Sequence, residues 1–345
     1  ERSADLTTLV YLQSGYSVAQ GVTIGDSQKY VTHSEEAVRL ADRIGESELR
    51  LGMRFYQIWA YFAAGRFEDA LEVNEYALDN SPDDGEFGIR ITGTSVRAGV
   101  TVAACASLWA LGRFEEAKRL LGAFERFPTT EMSPEIIWLG RYYACRFAIL
   151  DGNPDMALDR ARSIYADAGH FVTGMAGTFS NMSMGIAFLN MREPDRAREF
   201  LETAVQIGDA KQGFRYYHGA IIGALSEACI EQGNIEEGLR WAENAVDFCR
   251  SKRSVHDMQP WVSLARARIM LGDESGALAA LDELQTLITQ TKGRYYQPFV
   301  HEQRAAFAKA VGGKWSAEEE LRTAHRLCTE MGLTAHVERL AKALK

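Results

Sequence analysis

Seven histidines, five cysteines and several paired carboxylates are the residues of this chain equipped for metal binding or catalysis. Their spacing speaks against both. A helical zinc site needs two histidines four residues apart, but His33, His170, His218, His256, His301, His325 and His336 are scattered, and His301-Glu302 has no partner His four residues on. All seven are expected at surfaces or interfaces. Cys105, Cys145, Cys229, Cys249 and Cys328 form no Cys-x-x-Cys pair. An odd number of thiols in a long chain fits a reducing compartment, hence a cytoplasmic location. Gly312-Gly313-Lys314-Trp315 lacks the earlier glycine and the hydroxyl after Lys that a phosphate loop requires. No Gly-x-Ser-x-Gly elbow occurs. Glu35-Glu36, Glu115-Glu116 and Glu236-Glu237 fall at expected helix starts, where the helix dipole accounts for them. The expectation is no catalytic residue, no metal and no cofactor in this segment.

The elements behind these residues are set by a repeat. Gly65-Arg66-Phe67-Glu68-Asp69-Ala70 and Gly112-Arg113-Phe114-Glu115-Glu116-Ala117 are near copies, and weaker ones start at positions 152, 192, 233, 272 and 312. Successive spacings are 47, 40, 40, 41, 39 and 40 residues, and Ser34-Glu35-Glu36-Ala37 reads as an earlier, weaker copy. A glycine accepts the left-handed backbone that closes one helix. Acidic residues then favour the first turn of the next, and Pro154 and Pro194 suit a first helical position. Each marker is therefore the tight turn of a helix hairpin. Seven residues before it stand Ile58, Cys105, Cys145, Gly185, Ser226, Ala265 and Ala305, mostly small. Alanine, or Gly238 once, follows five residues after it. Small residues facing each other let two helices approach closely, so Cys105 and Cys145 read as packing thiols.

This pattern resembles the tetratricopeptide repeat family, whose small residue, glycine turn and paired alanines match Gly65, Ala70, Ala77 and Pro82. The period near 40 exceeds the family's usual length of about 34 residues. In this it is similar to the C-terminal helical regions of bacterial nucleotide cyclases fused to an ATPase module, and of maltose-regulator-like transcription activators. Trp315–Leu321 and Met331–Leu340 carry most of that likeness. The expected architecture is an all-α, right-handed α-α superhelix of about eight hairpins. Residues 1–345 would form one solenoid: an irregular N-terminal hairpin over 1–50, regular repeats over 51–333, and a capping helix over 334–345. In that last helix Val337, Leu340, Ala341 and Leu344 would face inward. Because the chain opens on Glu1, we read it as a piece of a longer protein.

The resemblance places ligand contacts on the concave side, at residues ten and six before each marker. These are Phe55 and Trp59, Val102 and Ala106, Tyr142 and Arg146, Met182 and Ile186, Gly223 and Glu227, Val262 and Arg266, and Glu302 and Ala306. Arg-Tyr-Tyr recurs at 141–143, 215–217 and 294–296. Its rings either reach the groove or fill gaps between repeats; the second reading is favoured, since tyrosine buries its body while its hydroxyl finds a partner. The candidate contact set is Trp59, Tyr142, Arg146, Tyr217, Glu227, Arg266 and Tyr296. A net charge of −9 opposes general nucleic-acid binding, and no apolar run approaches the roughly 18 residues of a membrane span. The chain thus reads as a non-catalytic interaction or regulatory scaffold of a bacterial signalling protein. It would take a protein or peptide partner, or a neighbouring domain, in its groove. The alternative is a small-molecule sensor domain of a transcription activator or nucleotide cyclase.

Overall fold

A computed structural model describes residues 2–171, 173–210, 214–312 and 315–345, with side chains from residue 6 onward. Gly313 and Lys314 of the glycine-lysine motif lie outside the described residues. The described residues form helices joined by turns, without strands. Eight antiparallel pairs follow in order. They are α1 (Arg2–Val18) with α2 (Ser27–Ile44), and α3 (Ser47–Ala63) with α4 (Phe67–Asn80). After a short helix α5 (Ile89–Thr92) come α6 (Val96–Ala110) with α7 (Phe114–Phe124), and α8 (Pro134–Leu150) with α9 (Pro154–Ala168). Next are α10 (Gly174–Asn190) with α11 (Pro194–Asp209), and α12 (His218–Glu231) with α13 (Ile235–Lys252). The last pairs are α14 (Gln259–Met270) with α15 (Glu274–Thr291), and α16 (Gln297–Val311) with α17 (Ala317–Met331); α18 (Thr334–Ala343) ends the array. The pairs wind into a right-handed superhelix.

The marker turns form for the reason the residues give. Gly65, Gly112, Gly152, Gly233, Gly272 and Gly312 all have φ between 73° and 84°. Arg192 takes the seventh marker place with φ 60°, paying the steric cost that glycine avoids. Pro154 and Pro194 open their helices, and the Asn153 and Asp273 side chains accept from backbone N–H groups three residues on. The longest interval, between markers 65 and 112, is longer because α5 is inserted there. The slots seven before the markers are all buried. At two repeats they touch the slot five after directly: the Cys105 thiol faces the Ala117 carbonyl at 3.5 Å, and the Ser226 hydroxyl donates to the Gly238 carbonyl at 2.7 Å.

One expectation is corrected. Ser34–Ala37 does not start a helix but lies in the middle of α2. The turn comes earlier, where a π-helical segment (Ala19–Ile24) ends on Gly25 at φ 79° and Asp26 caps α2 by accepting from Lys29 N–H at 3.0 Å. Ala37 keeps only the packing role, at 1% exposure.

The superhelix closes on itself. A Cβ added at Gly65 would meet Thr291 and Val255, one at Gly112 would meet Met331 and Arg294, and one at Gly152 would meet Ala335. The Val255 N–H donates across this seam to the Ala63 carbonyl at 3.2 Å, and Lys292 pairs with Glu68. The hairpin turns of α3–α4, α6–α7 and α8–α9 thus lie against elements roughly five repeats later. One contiguous core runs from Tyr30 to Leu340, with a separate N-terminal cluster around Val10, Val38 and Leu49. Among the described residues no helix is long and apolar enough to cross a membrane.

Candidate ligand cavity

Inside the superhelix the two halves differ. In one, aromatic side chains fill the axis. Tyr216 packs edge-on to Tyr30 and Trp59 at centroid distances of 6.4 and 6.3 Å, and its hydroxyl donates to the Trp59 carbonyl at 2.8 Å. His256 lies 5.1 Å from Tyr216 and 5.3 Å from Tyr217, and Tyr217 meets Tyr142 and Phe179 at 5.9 and 5.6 Å. Through Tyr143 and Trp109 the stack continues to Tyr295 and Tyr296. All six tyrosines of the Arg-Tyr-Tyr copies are buried; four fill gaps between repeats, whereas Tyr295 and Tyr296 also border an open space.

Beyond this stack lies a cavity of about 740 Å³. Its wall is a ring of the first helices α8, α10, α12, α14 and α16, completed by α18. The positions six before the markers supply Arg146, Ile186, Glu227, Arg266 and Ala306, and those ten before supply Val262 and Glu302. Ile149, Leu189 and Ile269 add a third row, three residues before the markers. Repeat periodicity therefore turns one face of five helices inward together. The connecting segments contribute Arg192, Asp257, Tyr295 and Tyr296, the start of α14 adds Gln259, and α18 contributes Ala335, His336 and Arg339.

Four arginines and four carboxylates balance in this wall. Arg266 bonds to Glu227 and, at 2.7 Å, to Glu231, which also accepts from Arg192 at 3.1 Å. Glu227 accepts in addition from the Ser263 hydroxyl at 2.7 Å and the Gln259 amide at 3.3 Å. Arg339 grips Glu302 with two bonds of 2.7 and 2.8 Å. Asp257 accepts from the Tyr296 hydroxyl at 2.5 Å and from the Gln259 N–H at 3.0 Å. Arg146 differs from the other three. It donates to the Tyr142 hydroxyl at 2.9 Å and stacks over Trp109 at 4.9 Å, while its nearest carboxylate, Asp257, is 4.0 Å away. Burial works against the Glu231 carboxylate, yet Arg266 and Arg192 leave it below the usual range. Burial beside Arg339 lowers His336 to about 4.

Of the candidate contact set, Arg146, Glu227, Arg266 and Tyr296 come together around the cavity. Trp59, Tyr142 and Tyr217 do not line it; they are buried in the aromatic stack, because the following superhelical turn covers them. Sequence reasoning missed Asp257 and Arg339, which no repeat position marks, although they complete the ring around the cavity. It also expected every histidine at a surface or interface, whereas His218 and His256 are core residues at 3% and 7% exposure. Burial holds His256 neutral, with its pKa lowered to about 4. The five cysteines are buried and unpaired, and burial pushes Cys145 up to about 12 and Cys229 to about 11. Thiols so placed are poor nucleophiles. Among the described residues no cluster of three His, Cys, Asp or Glu side chains is arranged to hold a metal ion.

Comparisons with known proteins agree on the fold. A tetratricopeptide repeat model matches residues 98–123, which cover most of α6 and α7. No curated protein matches the sequence significantly. Among solved structures, the chain is similar to a Rap protein complexed with Competence and Sporulation Factor, with a TM-score of 0.62 and 10% identity over 99% of this chain and 97% of that one. It is also similar to Cut9 of the APC/C hetero-tetramer Cut9-Hcn1, with a TM-score of 0.58 and 12% identity over 96% of this chain. A third is PH0952 from Pyrococcus horikoshii, a signal-transduction ATPase with numerous domains and a tetratricopeptide repeat sensor, with a TM-score of 0.54 and 12% identity over 92% of this chain. The chain spans 55% and 52% of the latter two. These likenesses establish a tetratricopeptide-like helical array.

Proposed function

We propose that this chain is a non-catalytic regulatory array that takes a segment of a protein or peptide partner into the cavity of its superhelix. The carrying observation is the ring of identical register positions: five repeats present Arg146, Ile186, Glu227, Arg266 and Ala306 to one space of about 740 Å³. Apolar walls with a few directed charged groups suit a ligand that must be oriented as well as buried. Arginine and aromatic residues are favoured anchors in such sites. The similar Rap protein is seen with Competence and Sporulation Factor, and the similar ATPase carries its repeats as a sensor. Both support a place in a signalling protein, and the unpaired thiols fit a cytoplasmic one.

Affinity purification with the whole chain tests this reading. A partner retained by the wild type should be lost with Arg146→Gln and with Arg266→Gln, both checked for native helicity. Retention by both variants would refute it. A second reading, a small-molecule sensor, is favoured by the cavity volume, which lies within the range for drug-sized ligands of about 300–1,000 Å³. A metabolite that raises Tm by linkage in the wild type but not in Arg146→Gln would select it.

A further inference from the structure

Five walls of the cavity are first helices locked into hairpins, and the sixth is α18. The contrast in anchoring is large. In α8, ten residues are buried, including Trp138, Tyr142, Tyr143 and Phe147. In α18, only Leu340 is buried, with Val337 and Leu344 half-covered. Three further ties hold α18 in place, one of them the His336 ring packed edge-on to Phe299 of α16 at a centroid distance of 5.3 Å. Arg339 grips Glu302 of α16 from a half-exposed position, and Ala335 rests against the α8–α9 turn, 3.5 Å from where a Gly152 Cβ would stand. Yet α18 supplies Ala335, His336 and Arg339 to the cavity lining.

We propose that α18 is the movable wall of the cavity: it swings from the α8–α9 turn to widen the opening for a ligand and closes on it. The inference rests on the reading of the cavity as a ligand site. A ligand that touches Ala335, His336 or Arg339 binds the closed ring better than the open one, so occupancy and docking of α18 are linked. Elements that open to admit ligands come from the less stable parts of a fold, and a ten-residue helix with one fully buried side chain is such a part.

The contact between positions 152 and 335 offers a reversible lock. A Cβ separation of 3.5 Å suits a disulfide. Arg192 shows that a marker turn accepts a non-glycine residue at positive φ. The double variant Gly152→Cys/Ala335→Cys can be compared with itself, oxidised and reduced, while the five native thiols stay buried. The probe is 8-anilinonaphthalene-1-sulfonate, an apolar anion suited to a wall of aliphatic and arginine side chains, followed by stopped-flow fluorescence. Expected is uptake at least roughly tenfold slower in the oxidised form, restored by reductant, and binding weakened in Ile186→Trp, which narrows the cavity. Equal rates in both forms, with binding still weakened by Ile186→Trp, would overturn the movable wall and leave the cavity reading standing. Uptake indifferent to Ile186→Trp would sink both. Native-state hydrogen exchange of the unmodified chain gives an independent readout. α18 amides should open well before those of α17, and equal protection of the two helices refutes the proposal.

Discussion

Trp59 and Ile186 occupy the same register position, six residues before markers 65 and 192, yet one lies in the aromatic stack and the other on the cavity wall. The repeat dictates that both turn inward. What they meet there is decided by the rest of the superhelix: Trp59 is covered by Tyr216, whereas the space before Ile186 stays open. One region is thus a packed core and the other a solvent-accessible site, built from the same face of the same hairpin. Core positions should respond to substitution through stability, and wall positions through binding.

The largest expected effect tests that division. Trp59→Ala should destabilise the fold by about 3–5 kcal/mol, the usual cost of emptying an aromatic core site. Ile186→Ala, which enlarges a space already open, should cost about 1 kcal/mol. Urea unfolding with a common m-value would measure both. Equal losses would mean that stack and wall are not distinct regions.

Acid should weaken the stack next. His256 is neutral in the fold, its pKa lowered to about 4 chiefly by burial, with the Asp257 charge opposing the shift. In the unfolded chain its pKa returns to about 6.5. Between those values the unfolded state binds a proton that the folded state does not, so stability is full above about pH 6.5 and falls as pH drops towards 4. The loss approaches about 3 kcal/mol at the lower end. Replacing His256 with Phe should flatten urea midpoints between pH 7 and 5. A curve as steep as the wild type's would place the titrating group elsewhere, with His336 on the cavity wall the next candidate, since its pKa is lowered to the same range.

The hairpins were legible in the sequence because they are periodic. Markers 65 to 272 are all turns, and the small residues that flank them are buried. The cavity was legible in part for the same reason: Arg146, Glu227 and Arg266 share one register. The seam was not. Gly65 and Thr291, or Gly152 and Ala335, meet across about five repeats, and no local pattern reports a contact set by the accumulated twist of the stack. Without the seam, Trp59 and Tyr142 could not be told from open groove positions. Asp257 was missed because it comes from the connection between α13 and α14, where the repeat imposes no residue type.

The seam can itself be probed through two marker glycines of equal conformation. Gly65 and Gly272 have φ of 73° and 74°, so alanine at either should cost about 1–2 kcal/mol for the left-handed backbone alone. Nothing lies within 4 Å of a Cβ at Gly272, but at Gly65 it would meet Thr291 and Val255 methyl groups at 2.6 and 2.7 Å. Both neighbours are β-branched and stiff, so Gly65→Ala should cost a further 1 kcal/mol or so through overpacking. Matching values for the two variants in urea unfolding would mean that the turns of α3–α4 and α14–α15 are equally free.

Arg192 makes the smallest and most discriminating case, because it belongs to both sides of the comparison. As the only marker among the seven without glycine, it holds φ at 60° against steric cost. As a residue of the cavity mouth, it donates to Glu231 at 3.1 Å from a largely exposed position. Arg192→Gly removes the backbone strain, a gain of about 1 kcal/mol. It forfeits an exposed ion pair of at most about 1 kcal/mol, and often much less. The net should be a gain of a few tenths to about 0.5 kcal/mol, read as a higher urea midpoint. The substitution also removes one of the four arginines that balance the cavity's carboxylates, so binding of an anionic ligand should weaken while the fold grows more stable. A variant that gains stability and keeps its affinity would show that the Arg192–Glu231 pair plays no part in the site. One that loses stability would show instead that this ion pair, and not the turn, is what the arginine is there to supply.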